Sequence, residues 1–450
     1  MTMFTEKRIQ PQLDVAGLRR GDYSDHYFAN IYTILSRLIE TGATFAHFGG
    51  KSPRIVPERI GDTPIGELIV EMQVFNRRAP RVLVGGVDVA LAMLKAATGY
   101  YQDETFIPTF EDLEVLAVQD GTWTQYAGNP LEVQPVIKIR GRYRDFALLE
   151  TPILGILTRV SRIATNVYQV LQVSNGKPVL FFPARFDLAE VQSADGYAYW
   201  LAIQRYNQDT GQAVRAQVST DAQGRWWGGR GSGTIPHALI AAFMADSAAA
   251  MVAFAEHISI TTPRILLADF NNDVTRDAQA TLNAYWPRYR EAYLAGDLEN
   301  QRRWTLNGVR LDTSANMLDA ALYDPTDKGV SPALVRAVRS ALDCAYEGWG
   351  ESGALLEVAQ RYCQQVQIVV TGGFNRDRIE RFESEQVPVD VYGVGSTFLQ
   401  NDKSTNTDYT MDIVRVQIDG EWIDMAKVGR GASDNPHLKR VNLKNEVGYE

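Results

Sequence analysis

The sequence predicts an α/β protein in two parts: an N-terminal α/β domain, and an irregular, TIM-like α/β barrel, with C-terminal strands that complete the first part. Three observations predict it. Two apolar runs ending in glycine, QIVVTGGF (367–374) and VDVYGVGS (389–396), flank DRIERFESEQ (377–386), whose Ile379 and Phe382 share one helix face. The order strand, Gly turn, helix, strand, Gly turn is a βαβ crossover of a parallel sheet. Strand-like and helix-like segments alternate from about residue 148, which implies a parallel sheet in a closed or partly closed barrel. Before that point, and again in the tail, short alternating runs separated by turns imply an antiparallel sheet.

The elements follow in order. Residues 25–40 carry Phe28, Ile31, Ile34, Leu35 and Leu38 at helical spacing. TFAHFGGKSPRIVPERIGDT (44–63) reads as strand and turn, and GVDVALAMLKAATG (86–99) as a helix stopped by Gly99. Residues 115–140 read as short strands around a turn at Gly121. ALLETPILGILTRVSRIATNVYQVLQ (147–172) is a long helix, followed by strands at PVLFFP (178–183), RILLADF (264–270) and GVRLDT (308–313). The alanine-rich run 237–257 reads as one buried helix, because Asp246 and Ser247 interrupt it and it is no membrane span. VRVQIDGEWIDMAKVG (414–429) is a hairpin with an Asp-Gly turn, returning to the first sheet.

A chain of 450 residues exceeds one ordinary core, so two domains are expected: 1–147 joined by 405–450, and 148–404. A net charge of −9 argues against nonspecific nucleic-acid binding while allowing a local basic pocket. The start, MTMFTEKRIQPQLD, lacks the apolar core of a signal peptide, so a cytosolic location is expected. Cys344 and Cys363 are too few for a four-cysteine zinc site, no metal ligand set is expected, and both read as inert buried thiols.

The predicted barrel strands end in chemistry. Asp269 closes RILLADF, Arg310 and Asp312 close GVRLDT, and glycines close the last two. Functional side chains in such barrels gather at the carboxyl ends of the strands. Glycine turns let backbone N–H groups close on an anion. An arginine holds phosphate bidentately, and a carboxylate accepts from paired ribose hydroxyls. The set suits a sugar phosphate; each acid taken alone also suits a helix cap or an ion pair.

At this point the sequence resembles the nicotinate phosphoribosyltransferase family, a type II phosphoribosyltransferase family. LLETPILGIL (148–157) is similar to its helix opening, SRIAT (161–165) to SGIAT, and GSGTIPHALI (231–240) to its Gly-Thr-x-x-His motif. GVRLDT, VVTGGF and YGVGS match three more motifs in family order, and DHYF (25–28) resembles its N-terminal Asp-x-Tyr-Phe. The resemblance implies nicotinate attacking phosphoribosyl pyrophosphate to give nicotinate mononucleotide and pyrophosphate. ATP serves as co-substrate, Mg2+ sits on the pyrophosphate, and the enzyme is a homodimer with shared sites. It implies that Asp312 and Arg310 meet the ribose or pyrophosphate, that Asp269 is an active-site carboxylate, and that His237 is phosphorylated by ATP. Thr234 joins the binding set through the His237 motif. Gly372, Gly373, Gly393, Gly395 and Ser396 match the 5′-phosphate turns, Arg185 one arginine of a pair near the pyrophosphate and nicotinate carboxylate, and Tyr27 an aromatic stacking on the partner subunit's pyridine.

Three positions depart from the family pattern. Phe186 stands where the second arginine is expected, Arg162 where SGIAT has glycine, and Asn166 where a basic residue often follows. These departures leave open nicotinamide or another pyridine as acceptor, and a catalytically idle barrel that binds sugar phosphate.

Overall fold

The computed structural model describes residues 12–444 together with 448–449; the signal-peptide reading of the N-terminus rests mainly on residues outside these. The chain divides into two compact units. One takes the residues up to Asn166, Ser193–Arg205 and the residues from Gln400 on; the other takes Val167–Gln192 and Tyr206–Leu399.

The first unit is built on a seven-stranded antiparallel sheet. Its order is Glu421–Asp424, Tyr409–Ile418, Ile69–Asn76, Ile137–Arg142, Glu114–Ala117, Lys439–Asn442 and Gly448–Tyr449. The tail returns to this sheet as its Asp-Gly turn implies: Asp419 and Gly420 both take positive φ (52° and 80°), the twist a two-residue hairpin needs. Directly opposed charges cross five strands in the order Asp424, Arg415, Glu71, Arg140, Glu114. Glu71 has no solvent exposure, and its carboxylate accepts from Arg140 Nε at 2.6 Å and Arg415 Nη1 at 3.5 Å. The helix Val87–Ala97 is buried along almost its whole length and ends before Gly99, with Thr98 as its cap. Ser161 and Thr165 of SRIAT are structural here: their hydroxyls accept from the amides of Gly85 and Leu83, while Asn166 accepts from the buried Arg78.

Three local readings differ from the structure. Residues 44–63 form a 3₁₀ turn, Phe45–Phe48, and a short helix, Pro57–Ile60, with one bridge between Thr44 and Pro64. The run 237–257 is two helices, His237–Ala242 and Ser247–His257. Met244 and Ala245 take left-handed φ, and the Asp246 carboxylate caps the second helix by accepting from Ala249 N, so the polar pair is a helix start. Cys344 is exposed at the end of its helix; Cys363 is buried, and burial pushes its thiol up to about 12. Among the described residues no helix is long and apolar enough to cross a membrane.

The second unit holds a parallel sheet of five strands: β1 (Val179–Phe181), β2 (Ile265–Leu267), β3 (Gly308–Leu311), β4 (Gln367–Val370) and β5 (Val391–Val394). Their order is β1-β5-β4-β3-β2, and bridges from Phe181 to Val218 and from Val218 to Gly231 extend the β1 edge into a barrel-like arc. The helix Arg376–Ser384 crosses from β4 to its neighbour β5 and buries Ile379 and Phe382, as the sequence spacing predicts. Asn375 starts it by accepting from Arg378 N.

Arg264, immediately before β2, has no solvent exposure. Its guanidinium donates to the carbonyls of Ala255, Ile258, Ser259, Thr262 and Arg303, closing the C-terminal ends of two helices. Replacing it removes five hydrogen bonds from a charged donor to backbone carbonyls, such bonds being worth about 1.5–3 kcal/mol each. Arg264→Met is expected to lower unfolding free energy by at least about 3 kcal/mol in urea titration. A change under about 0.5 kcal/mol would show that water satisfies these carbonyls.

Candidate active site

Parallel strands leave all their carboxyl ends on one edge, and the candidate residues sit there. Asp312 directly follows β3, Thr371 and the Gly372-Gly373 turn follow β4, and Gly395 and Ser396 follow β5. Residues 182–186 follow β1, and Asp269 lies two residues past β2. A cleft of about 380 Å³ opens at this edge, lined by Arg185, Phe186, Ser232, Arg310, Asp312, Thr371, Gly372, Gly373, Gly393, Gly395 and Ser396, among others. Thr234 lines an adjoining cavity of about 80 Å³, which Arg310 also faces. Eight residues singled out from the sequence therefore share one cleft.

His237 and Asp269 form a pair at the same edge. His237 opens the helix His237–Ala242, and its Nε2 lies 2.9 Å from Asp269 Oδ1. The imidazole is half exposed and the carboxylate nearly buried, so the buried member orients the accessible one. Tyr27 belongs to the first unit, where it is 57% exposed and its hydroxyl donates to Asp25.

Arg310 and Asp312 stand two residues apart on an extended segment, which puts them on one face. Burial lowers the Arg310 guanidinium's pKa; Asp312 and Asp269 offset part of this, and Arg185 adds like charge. Its Nε is buried and has no hydrogen-bond partner among the described residues. Such a cation favours a further anion in the cleft.

The glycine turn has both its residues at positive φ, 86° for Gly372 and 75° for Gly373, where a side chain is strained. Arg378 braces it from behind. Its guanidinium donates to the Gly372 carbonyl at 2.7 Å and the Val330 carbonyl at 2.6 Å, and it lies 4.0 Å above the Phe374 ring. Arg378 thus ties the Gly372 carbonyl on the side of the turn away from the cleft. At the second turn a Cβ on Gly395 would stand 2.7 Å from Phe186 Cε2, so the ring is seated on the turn itself. Gly393 lies inside β5, two residues before Gly395, and not in the turn where the sequence pattern puts it.

Thr371, Ser232 and Arg378 escape the sequence reading. Thr371 sits inside the quoted VVTGGF, and its place at a strand end is the signal that could have found it. Arg378 is hidden because its partners, Val330 and Gly372, are backbone carbonyls, which no residue pattern marks.

Residues 59–161 match the sequence model of the family described as quinolinate phosphoribosyl transferase, N-terminal domain, a stretch inside the first unit. Among solved structures, nicotinate-nucleotide pyrophosphorylase from Pyrococcus furiosus is similar with a TM-score of 0.60 and 22% identity, over 93% of this chain and 80% of that one. Human nicotinic acid phosphoribosyltransferase is similar with a TM-score of 0.51 and 16% identity, over 89% of this chain and 76% of that one. The likeness is one of fold, an antiparallel sheet together with a parallel, barrel-like sheet.

The unpartnered Arg310 Nε makes the cleft an expected anion site, for which inorganic pyrophosphate is a suitable probe. At a hundredfold excess over its dissociation constant such a ligand stabilises by about 2.7 kcal/mol. Thermal melts should show this rise in the wild type and lose it in Arg310→Met. An equal rise in both proteins would place the anion elsewhere.

Proposed function

We propose that this chain is a type II phosphoribosyltransferase that joins nicotinate to phosphoribosyl pyrophosphate, with ATP assisting. The observation that carries the reading is one cleft in which Asp312 and Arg310, on one face of a strand end, meet two glycine turns. In the reaction the bond from ribose C1 to pyrophosphate breaks and a bond from C1 to the pyridine nitrogen forms. The ribosyl group becomes oxocarbenium-like on the way, so the enzyme must hold two anionic ends and the ring between them in line.

The residues divide among these tasks. The turns at Gly372-Gly373 and Gly395-Ser396 hold the 5′-phosphate, and Asp312 accepts from the ribose hydroxyls or faces the metal-bound pyrophosphate. Arg310 and Arg185 supply one cation for the pyrophosphate and one for the nicotinate carboxylate. Phe182 and Phe186 give a flat ring an apolar wall. Magnesium fits the donor set, because it takes one or two carboxylates together with substrate phosphates, and Asp312 and Asp269 lie at this edge. It would neutralise charge on the leaving pyrophosphate.

Phe186 bears on the acceptor. With phenylalanine in place of a second arginine, the cleft has one cation for the base, which suits one carboxylate rather than quinolinate's two. The exposed apolar face of the helix His26–Thr41, with Ile34 at 56% exposure beside Tyr27, supports a homodimer whose Tyr27 reaches the partner's site.

Phosphoribosyl pyrophosphate with nicotinate, nicotinamide or quinolinate, with and without ATP, tests the reading. Nicotinate mononucleotide formed fastest from nicotinate and stimulated by ATP is expected. Product from quinolinate alone would overturn the acceptor, and no product from any base would overturn the enzyme. In Asp312→Ala, loss of a charge-assisted contact of roughly 2–4 kcal/mol predicts a fall in rate of about a hundredfold or more.

Asp269 holds one ring nitrogen of His237 and leaves the other to accept a phosphoryl group from ATP. A phosphohistidine adds negative charge where magnesium and the loops are recruited. His237→Ala should lose ATP stimulation and keep slow ATP-independent transfer. Acid-labile label from γ-labelled ATP should appear on the wild type alone; equal labelling of both proteins would remove His237 from this role.

A further inference from the structure

We propose that Thr371 is a positioning residue for Asp312, with Gly393 as the empty space that locks it in place; the kinetic half of this proposal rests on the phosphoribosyltransferase reading. Thr371 is 6% exposed and follows β4 directly. Its hydroxyl lies 2.7 Å from Asp312 Oδ1 and 3.1 Å from the Leu311 carbonyl. That carbonyl already accepts from the Thr371 amide at 2.9 Å. A hydroxyl has one proton to give, and the carboxylate is both nearer and charged, so the proton goes to Asp312.

The direction of that hydroxyl is set from the neighbouring strand. A Cβ on Gly393 would stand 2.5 Å from the Thr371 methyl carbon and 3.0 Å from the Phe182 ring. The methyl therefore occupies space that any other residue at 393 would fill. With the methyl seated over Gly393 the χ1 angle of Thr371 is fixed, because a β-branched side chain has few rotamers. The hydroxyl is then held toward Asp312. A third contact closes the arrangement: Gly372, next in the chain, has Asp312 Oδ1 3.4 Å from where its own Cβ would be. Asp312 is thus confined on one oxygen by a hydroxyl and a glycine turn, leaving the other for ligand. Gly393 acts on the reacting sugar through two side chains.

Three variants separate positioning from bulk packing. Thr371→Val keeps the methyl over Gly393 and removes the donor; Thr371→Ser keeps the donor and removes the methyl; Gly393→Ala fills the space. Small misplacement of a reacting group costs about ten- to a hundredfold in rate. The expected result is a fall in kcat of at least about tenfold for Thr371→Val, with KM for the base within about twofold, and a clearly smaller fall for Thr371→Ser, which keeps the donor but loses the methyl that fixes its direction. Gly393→Ala should resemble Thr371→Val. In an Asp312→Ala background Thr371→Val should add nothing, since its partner is gone. Equal kcat losses in Thr371→Val and Thr371→Ser, or a multiplied loss in the double variant, would overturn the proposal. If the wild type transfers phosphoribosyl to none of the three bases, the functional reading fails and crystal structures of the variants decide. Asp312 should leave its rotamer in Thr371→Val and keep it in Thr371→Ser; an unmoved Asp312 in Thr371→Val overturns the positioning role.

Discussion

Parallel pairing imposes a strict geometry on the second unit. Each strand must be followed by a crossover back to the opposite edge, so the loops that leave the strands all open on one side. Asp269, Asp312, Thr371, Gly372, Gly395 and the segment 182–186 are spread over more than two hundred residues of the chain, yet this rule alone gathers them. The opposite edge carries the matching burden. There helix ends leave unpaired carbonyls, and one enclosed guanidinium, that of Arg264, pairs those of Ala255, Ile258 and Arg303 at once by donating to all three. Chemistry at one edge and capping at the other follow from the same direction of travel.

Within that geometry the site relies on rigid supports. Arg378 holds the back of the glycine turn, Asp269 holds one nitrogen of His237, and Thr371 holds one oxygen of Asp312. Arg378 and Thr371 act through another residue and need not touch a ligand themselves. Such hydrogen bonds fix direction once the strand ends are in place, and pre-set direction is what a reaction through a charged, short-lived ribosyl demands.

Much of this was legible in the sequence, for definable reasons. The βαβ unit at 367–396 was readable because glycine marks the strand ends and Ile379 and Phe382 mark the buried helix face. The tail hairpin was readable because Asp-Gly has few other uses between alternating runs. Residues 44–63 misled because FAHF and RIVP have strand-like composition, and only tertiary context selects a 3₁₀ turn. The run 237–257 misled because its alanines continue a helical pattern through a point where Asp246 starts a new helix. In the site, residue types were readable and pairings were not. His237 and Asp269 are 32 positions apart, and Thr371 meets Asp312 across 59. Ser161 and Thr165 look like motif residues, and their hydroxyls serve neighbouring backbone amides.

The charge ladder across the first sheet has a consequence for the order of assembly. The strand Ile69–Asn76 sits between Ile137–Arg142, a near neighbour in sequence, and Tyr409–Ile418, which the ribosome adds more than three hundred residues later. Until then one edge of the strand is bare and Glu71 lacks its second arginine, Arg415. Every residue of the second unit precedes Gln400, so that unit is complete in sequence while the first still waits for its central partner. The first unit's sheet can therefore close only after the second unit's sequence is complete, and until then that edge of Ile69–Asn76 has no partner from its own chain. Alternating signs along the ladder discriminate against mispairing in register: a second copy of Ile69–Asn76 would set Glu71 against Glu71, whereas Tyr409–Ile418 supplies the positive rung.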